Sequence, residues 1–325
     1  MKQLLFVVMM FLPMAVNAQV ITIDSIDYTF NNEENVACLV SGKALKREEV
    51  IIPETVEYND VSFPVTAINW RAFNDCDNLV TVTIPNSVKY IDDSAFAGCK
   101  NLTNVTLGEN LSEIGSYAFT NCHSLESIII PNSVKTIETS AFAMCKNLKT
   151  LTIGNHVETI EINAFRGCNK LTSVIIPNSV ISIESSSFSG CEELTSVTIG
   201  NNVNTIGERA FWNCFNLKDI YCLTEKVPSI KDNSFGDTYD NSYNFIKNIT
   251  LHVPSTLIDQ YKTTSTWKEC GSIVSLDDPT MITQMNGSEE TSTEYFLMNG
   301  QHVKHPQKGL HIIKTGKKTM KTIIR

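Results

Sequence analysis

The chain has 325 residues, 42% hydrophobic and 19% charged, with a formal net charge of −9. That balance excludes a wholly disordered chain, a collagen-like rod and a multi-span membrane protein. Length alone predicts two domains, and the ten cysteines say little until their positions are read.

Residues 1–18 read as a leader. Met1-Lys2-Gln3, an apolar run from Leu4 to Val16 and the small-residue end Val16-Asn17-Ala18 give the three parts of a secretory signal peptide, cleaved after Ala18. The run is shorter than the about 20 apolar residues of a transmembrane helix. No Cys follows the cleavage point to carry a lipid, and no later segment has the length and apolarity to span a bilayer. The expectation is an exported protein, secreted or on the outer cell surface.

Residues 19–67 predict a β-rich N-terminal cap. Ile21-Thr22-Ile23, Tyr28-Thr29-Phe30 and Val36 to Val40 have strand character, and Val50-Ile51-Ile52-Pro53 begins half of a repeat.

From 68 to 221 the sequence repeats. Cys76, Cys99, Cys122, Cys145, Cys168, Cys191 and Cys214 are each 23 residues apart. Phe73 to Phe211 and Leu79 to Leu217 keep the same period, as does the Ala column from Ala72 to Ala210, where Ser187 is the one substitute. Seven units at fixed period mean a stacked coil. In Thr81-Val82-Thr83-Ile84 an alternation of two marks a strand with one buried face. Ala72, Phe73 and Cys76 have spacings that suit a helical or 3₁₀ turn on the other side of the coil. The fold class is therefore an α/β solenoid of 23-residue coils, a parallel sheet on one side and short helical turns on the other. One coil cannot offset its own ordering entropy, so stacking carries the stability. After the strand the residue alternates: Pro85, Gly108, Pro131, Gly154, Pro177, Gly200. Both end the strand, Pro by its missing N–H and Gly by its backbone freedom. Asn86, Asn132, Asn155, Asn178 and Asn201 follow as turn residues bonding their own backbone, a ladder interrupted by Glu109.

The A-F-x-x-C-x-x-L-x-x-V-x-I-P pattern resembles the BspA-type leucine-rich repeat, also known from treponemal leucine-rich proteins. The resemblance covers about Ile68 to Tyr221 and implies a leucine-rich repeat horseshoe used for binding rather than for one chemistry.

Seven periodic Cys in an exported chain raise a disulfide reading. Their shared column, three residues after Phe, predicts instead a buried reduced ladder. Cys38, Cys222 and Cys270 lie outside it. A bridge between Cys222 and Cys270 stays open. No His or second Cys lies at zinc-ligand spacing, so no metal and no cofactor is expected.

Ligands of such solenoids meet the sheet face. The outward strand positions are Thr81, Thr83, Asn104, Thr106, Ser127, Ile129, Thr150, Thr152, Ser173, Ile175, Ser196, Thr198, Asp219 and Tyr221. Strand preference alone accounts for many of them. The functional reading is a broad, nearly uncharged adhesive face.

Residues 222–276 predict a degenerate repeat and C-terminal cap. Ser234-Phe235 echoes the Ala-Phe column, Ile249 to Pro254 echoes the strand, and Leu257 to Trp267 reads as a short covering helix. Residues 277–294 are a polar linker. Residues 295–325 read as a small basic β module, with Asn299-Gly300 as a hairpin turn. It resembles the C-terminal sorting domains of Bacteroidetes type IX secretion cargo, with His311 where that pattern has Tyr. Gly300 to Arg325 holds seven basic residues and no acidic one. With the leader removed the net charge is −10, so the body carries −17 against +7 in the tail. An acidic body excludes nucleic acid as partner.

No catalytic signature occurs, and none of the six His recurs beside a nucleophile or carboxylate. The expectation is a non-enzymatic secreted or surface protein binding a protein or glycan, such as host matrix or other bacteria. The alternative is a structural envelope or display scaffold with no ligand of its own. Oligomeric state stays open.

Overall fold

The computed structural model describes residues 20–42, 46–231, 233–236 and 246–276, together with the backbone strands 293–297, 302–303, 309–315 and 318–324. The expected leader and most of the expected linker lie outside the described residues.

The repeats wind into a parallel β-solenoid. At its N-terminal end β1 (Ile21–Ile23), β2 (Ile26–Asn31) and β3 (Val36–Ser41) form an antiparallel sheet. β3 then pairs in parallel with β6 (Val61–Ile68), and so joins the array. Between them lie β4 (Glu49–Ile51), the first rung of the strand ladder, and β5 (Thr55–Tyr58), which forms a hairpin with β6.

Each coil contributes two strands. The first ladder runs from β4 through Thr81–Thr83, Asn104–Thr106 and Ser127–Ile129 to Thr150–Thr152. A separate sheet then continues from Ser173–Ile176 through Ser196–Ile199, Asp219–Cys222 and Thr250–Val253 to Ser272–Ser275. The return segment is also a ladder. From β6 and Tyr90–Ile91 to Ser229–Ile230 its short rungs pair in parallel without a break.

The turn side is ordered by a third set of backbone bonds. Phe73 N–H donates to Ala95 C=O of the next coil at 2.7 Å, and Asp75 N–H to Ala97 C=O at 2.8 Å. The N–H groups that follow each of them close turns within the coil, Asn74 to Arg71 C=O and Cys76 to Phe73 C=O. Positive φ recurs at 23-residue spacing in two columns, Arg71 (54°) and Asp75 (58°) opening them. These left-handed residues turn alternate N–H groups along the stack and keep the segment from propagating as an α-helix. Among the described residues the one α-helix is α1 (Ile258–Thr263), beyond the repeats.

Stacked Phe rings form the axis. From Phe73 to Phe235 the centroids are 5.0–5.5 Å apart and the planes within 13°. That is offset stacking with every interior ring covered on both faces. The ends are closed differently. At the first ring a Cβ on Gly42 would fall 1.9 Å from Phe73, so a bare backbone covers it. At the last, Trp267 lies 5.7 Å from Phe235 and is itself fully buried against Tyr261.

No disulfide forms in the Cys column, which is buried from Cys99 to Cys214, with Cys76 half-buried at its start. Each thiol from Cys99 to Cys214 donates to a Phe carbonyl of the preceding coil, Cys99 to Phe73 at 3.0 Å and Cys145 to Phe119 at 3.2 Å. The same carbonyl accepts the N–H of the Cys in its own coil. An aliphatic side chain would fill the space but leave that second acceptor site empty. Cys222 and Cys270 are free as well, and the Tyr261 hydroxyl donates to Cys222 Sγ at 3.1 Å.

The Pro/Gly alternation differs from its sequence reading. Gly108, Gly154 and Gly200 do not have positive φ. A Cβ at each would lie 2.3–2.4 Å from the carbonyl oxygen of Pro85, Pro131 and Pro177 in the preceding coil. The glycine permits close approach, not an unusual angle. The asparagines also act between coils. Asn86, Asn132 and Asn178 each accept, through Oδ1, the N–H of Glu109, Asn155 or Asn201. The receiving position uses only its backbone, so Glu109 serves as well as Asn. Pro-Asn coils and Gly coils thus lock in pairs.

The C-terminal strands Thr293–Leu297, His302–Val303, Gly309–Thr315 and Lys318–Ile324 form their own four-stranded antiparallel sheet.

Candidate functional site

The first ladder presents the expected face, but its residues are not equally available. Asn104, Thr106, Ser127, Ile129, Thr150, Thr152 and Ser173 are exposed, Ile129 to 66%. Thr81, Thr83, Ile175, Ser196, Asp219 and Tyr221 are half-buried. Thr198 is buried, at 1% exposure, and drops out of the candidate set. It sits in register between Ile175 and Tyr221, whose larger side chains flank it. The open part of the face therefore runs from Asn104 to Ser173. It crosses the one place where the first ladder divides, between Thr152 and Ser173.

Towards its C-terminal end the face is closed by a group that sequence spacing hid. His252 is the register partner of Tyr221, and their rings stack at 4.4 Å and 10°. His252 Nε2 lies 2.9 Å from Asp219 Oδ1. The imidazole is nearly inaccessible, and its Nδ1 has no partner among the described residues. Burial and the Asp219 charge raise the Tyr221 phenol above its ordinary range. An insertion puts His252 at 31 residues from Tyr221 instead of 23. The echo of the strand in Ile249 to Pro254 was the signal that could have placed it in the column. No Ser, Thr or Cys side chain is bonded to this imidazole among the described residues, so the pair lacks an adjacent nucleophile.

Around the strand-ending turn from this face lies a groove of about 680 Å³. Its walls repeat with the coils. Ser133, His156 and Ser179 line one side and Lys135, Glu158 and Ile181 the other, with Asn201 to Asn204 at the C-terminal end. Ser133 and Ser179 donate to the Leu111 and Val157 carbonyls, which fixes the rim. The Asn201 amide oxygen is shielded and has no partner among the described residues, because the inter-coil bond made by Asn178 is not repeated at the next turn.

Charge divides the surface. On the turn side Lys100 pairs with Asp77 and Lys149 with Glu126 of the preceding coil, and Lys170 with Glu193 of the next. Along the return ladder Asp92, Asp93, Glu113, Glu138 and Glu161 follow one another without an ion pair among the described residues. Burial, then the charges of Asp92 and Asp93, raise the Glu113 carboxyl. Burial, then Glu161, Glu113 and Asp93, raise Glu138. Among the described residues no group of three or more His, Cys, Asp or Glu is placed to hold a metal ion, and no helix is long and apolar enough to cross a membrane.

The BspA type leucine-rich repeat model matches residues 66–173 and 140–263, in six copies. No curated protein matches the chain. Among solved structures, a Treponema pallidum leucine-rich repeat protein is 28% identical with a TM-score of 0.54, over 61% of this chain and 91% of that one. A Bacteroides ovatus leucine-rich repeat protein is 22% identical with a TM-score of 0.45, over 79% of this chain and 76% of that one. A leucine-rich cell surface protein from Faecalibacterium prausnitzii is 20% identical with a TM-score of 0.40, over 84% of this chain and 98% of that one. Repeat period, coil geometry and the matched residues agree, and the chain belongs to the BspA-type leucine-rich repeat family.

Proposed function

We propose that this is an exported, non-enzymatic adhesin that binds a protein or glycan chain laid along its coils. The observation that carries the reading is the open strand face from Asn104 to Ser173, with Ile129 at its centre, bordered by the 680 Å³ groove. A surface repeating every coil suits an extended polymer, which gains a similar contact at each step. The leader pattern in residues 1–18 supports export, and the C-terminal antiparallel strands support a module that delivers the protein to the cell surface.

The test is a binding screen of the mature protein against matrix proteins and glycans. Ile129→Asp and Thr152→Asp should abolish the interaction while leaving the melting temperature unchanged, since both side chains are exposed. No binding to any ligand, with the protein folded, favours the display scaffold. Deleting Tyr295 to Arg325 should stop surface delivery; unchanged location counts against the sorting role.

A further inference from the structure

The turn side carries a feature that neither the strand face nor the stacking explains. The left-handed position two residues after each Phe holds Asp75, Gly98, Asn121, Met144, Gly167, Gly190 and Asn213. Gly167 and Gly190 are neighbours in the stack, with φ of 73° and 75°. Met144 Sδ already lies over Gly167. A Cβ on Gly190 would meet nothing closer than 3.7 Å, so the floor is open there. The result is a groove of about 430 Å³, with Met144 at one end and Trp212 and Asn213 at the other.

Its lining is chemically distinct. Arg166 and Arg209 both face it, on a body that is otherwise strongly acidic. Arg209 is held in place: its guanidinium lies 5.3 Å over the Trp212 ring, and its Nε is 3.5 Å from Glu208. Arg166 has no ion pair among the described residues. The Asn213 amide oxygen is shielded and has no hydrogen-bond partner among the described residues. Glu192 supplies a carboxylate to the same lining.

We propose that this groove is a second binding site, separate from the strand face, for an acidic sugar: a uronic acid residue of a glycan. A planar guanidinium matches a carboxylate with two parallel bonds, which an ammonium cannot do. The sugar hydroxyls are donors for the Glu192 carboxylate. Glu192 repels a ligand whose negative charge surrounds it on every side, such as phosphate, whereas a sugar can turn neutral hydroxyls towards it. Trp212, half-buried with Arg209 over its ring, serves to position that guanidinium at the wall, and the volume is of ligand-site size.

The experiment titrates the mature protein with oligogalacturonate, with its methyl ester and with inorganic phosphate. The free acid should bind and the ester, which lacks the charge, should not. Arg166→Gln and Arg209→Gln should each weaken binding about 10- to 100-fold, the loss expected for one charge-assisted pair. Gly190→Asn should abolish it with an unchanged melting temperature, because the same column accepts Asn at 121 and 213 with positive φ. Ile129→Asp should leave it intact, which separates this site from the strand face. No binding of the free acid, equal binding of the ester or of phosphate, affinity unchanged in Gly190→Asn, or loss in Ile129→Asp would each overturn the proposal.

Discussion

The turn column and the strand face are read from the same 23-residue period, yet they behave oppositely. The Phe rings stack without interruption from Phe73 to Phe235, every one buried, with the Cys thiols tied to the carbonyls beside them. The strand face divides after Thr152, ranges from the open Ile129 to the buried Thr198, and ends under a stacked Tyr221–His252 pair. The inside of the coil is where each residue meets its own copy in the next coil, so one choice must serve all of them. The outside meets solvent or ligand and is free to vary. Stability resides in the repeated column, whereas the Gly167–Gly190 floor, the divided ladder and the open position of Ile129 are places where the outside departs from strict repetition.

The sharpest way to break this contrast is to cut the stack at its middle. Phe142 has rings at 5.3 and 5.4 Å on its two sides. Phe142→Ala should cost about 3–5 kcal/mol, the range for emptying a fully packed aromatic site. Thr152→Ala on the exposed face should cost less than about 0.5 kcal/mol. Urea melts of the two variants test the difference. Equal losses would mean that the face bears as much of the fold as the stack does.

The thiols separate the two regions by pH. Burial pushes Cys145 up to about 12 from an ordinary value of 9.0, and raises Cys122, Cys168 and Cys214. Below pH 9 these thiols are neutral in both folded and unfolded chains and add no pH dependence. Between about 9 and about 12 the unfolded chain releases the proton while the folded chain keeps it. Unfolding then releases protons, and stability falls as pH rises, by up to about 1.4 kcal/mol per pH unit for each thiol. Cys145→Ala should flatten that slope in melts from pH 8 to 11. Thiol labelling of the native protein should stay slow over the same range, and fast labelling at pH 8 would contradict a sealed column.

The period, the buried columns and the first strand were legible because apolar residues recur where they are buried. Other features were not, for physical reasons that can be named. The return ladder has rungs of two residues, such as Tyr90–Ile91, too short to show an alternation. Burial of Thr198 depends on the size of its register neighbours, which its own identity does not report. His252 was displaced from the count by an insertion. The Pro/Gly alternation was visible, but its cause lies between coils. Gly154→Ala tests that cause directly: its Cβ would meet the Pro131 oxygen at 2.4 Å, and the coil pair must shift to admit it. The expected cost is about 1–3 kcal/mol, as for overpacking. A neutral result would return the glycine to a simple strand-ending role.

The smallest expected effect has the opposite sign. Ser187 stands in the column that holds Ala72, Ala95, Ala118, Ala141, Ala164 and Ala210, and like them it is fully buried. Its hydroxyl has no hydrogen-bond partner among the described residues. The backbone around it is already satisfied by the ladder, Phe165 N–H donating to its carbonyl and its own N–H to Glu184. Nothing is left for the extra oxygen to do, and its desolvation is uncompensated. Ser187→Ala restores the column residue without emptying a site that neighbours fill, so stability should rise by about 0.5–1 kcal/mol, read as a higher urea midpoint at constant slope. A loss of stability would show that the hydroxyl has a partner in solution, and that this coil, which contributes Gly190 to the turn-side groove, departs from its neighbours on the inside as well as the outside.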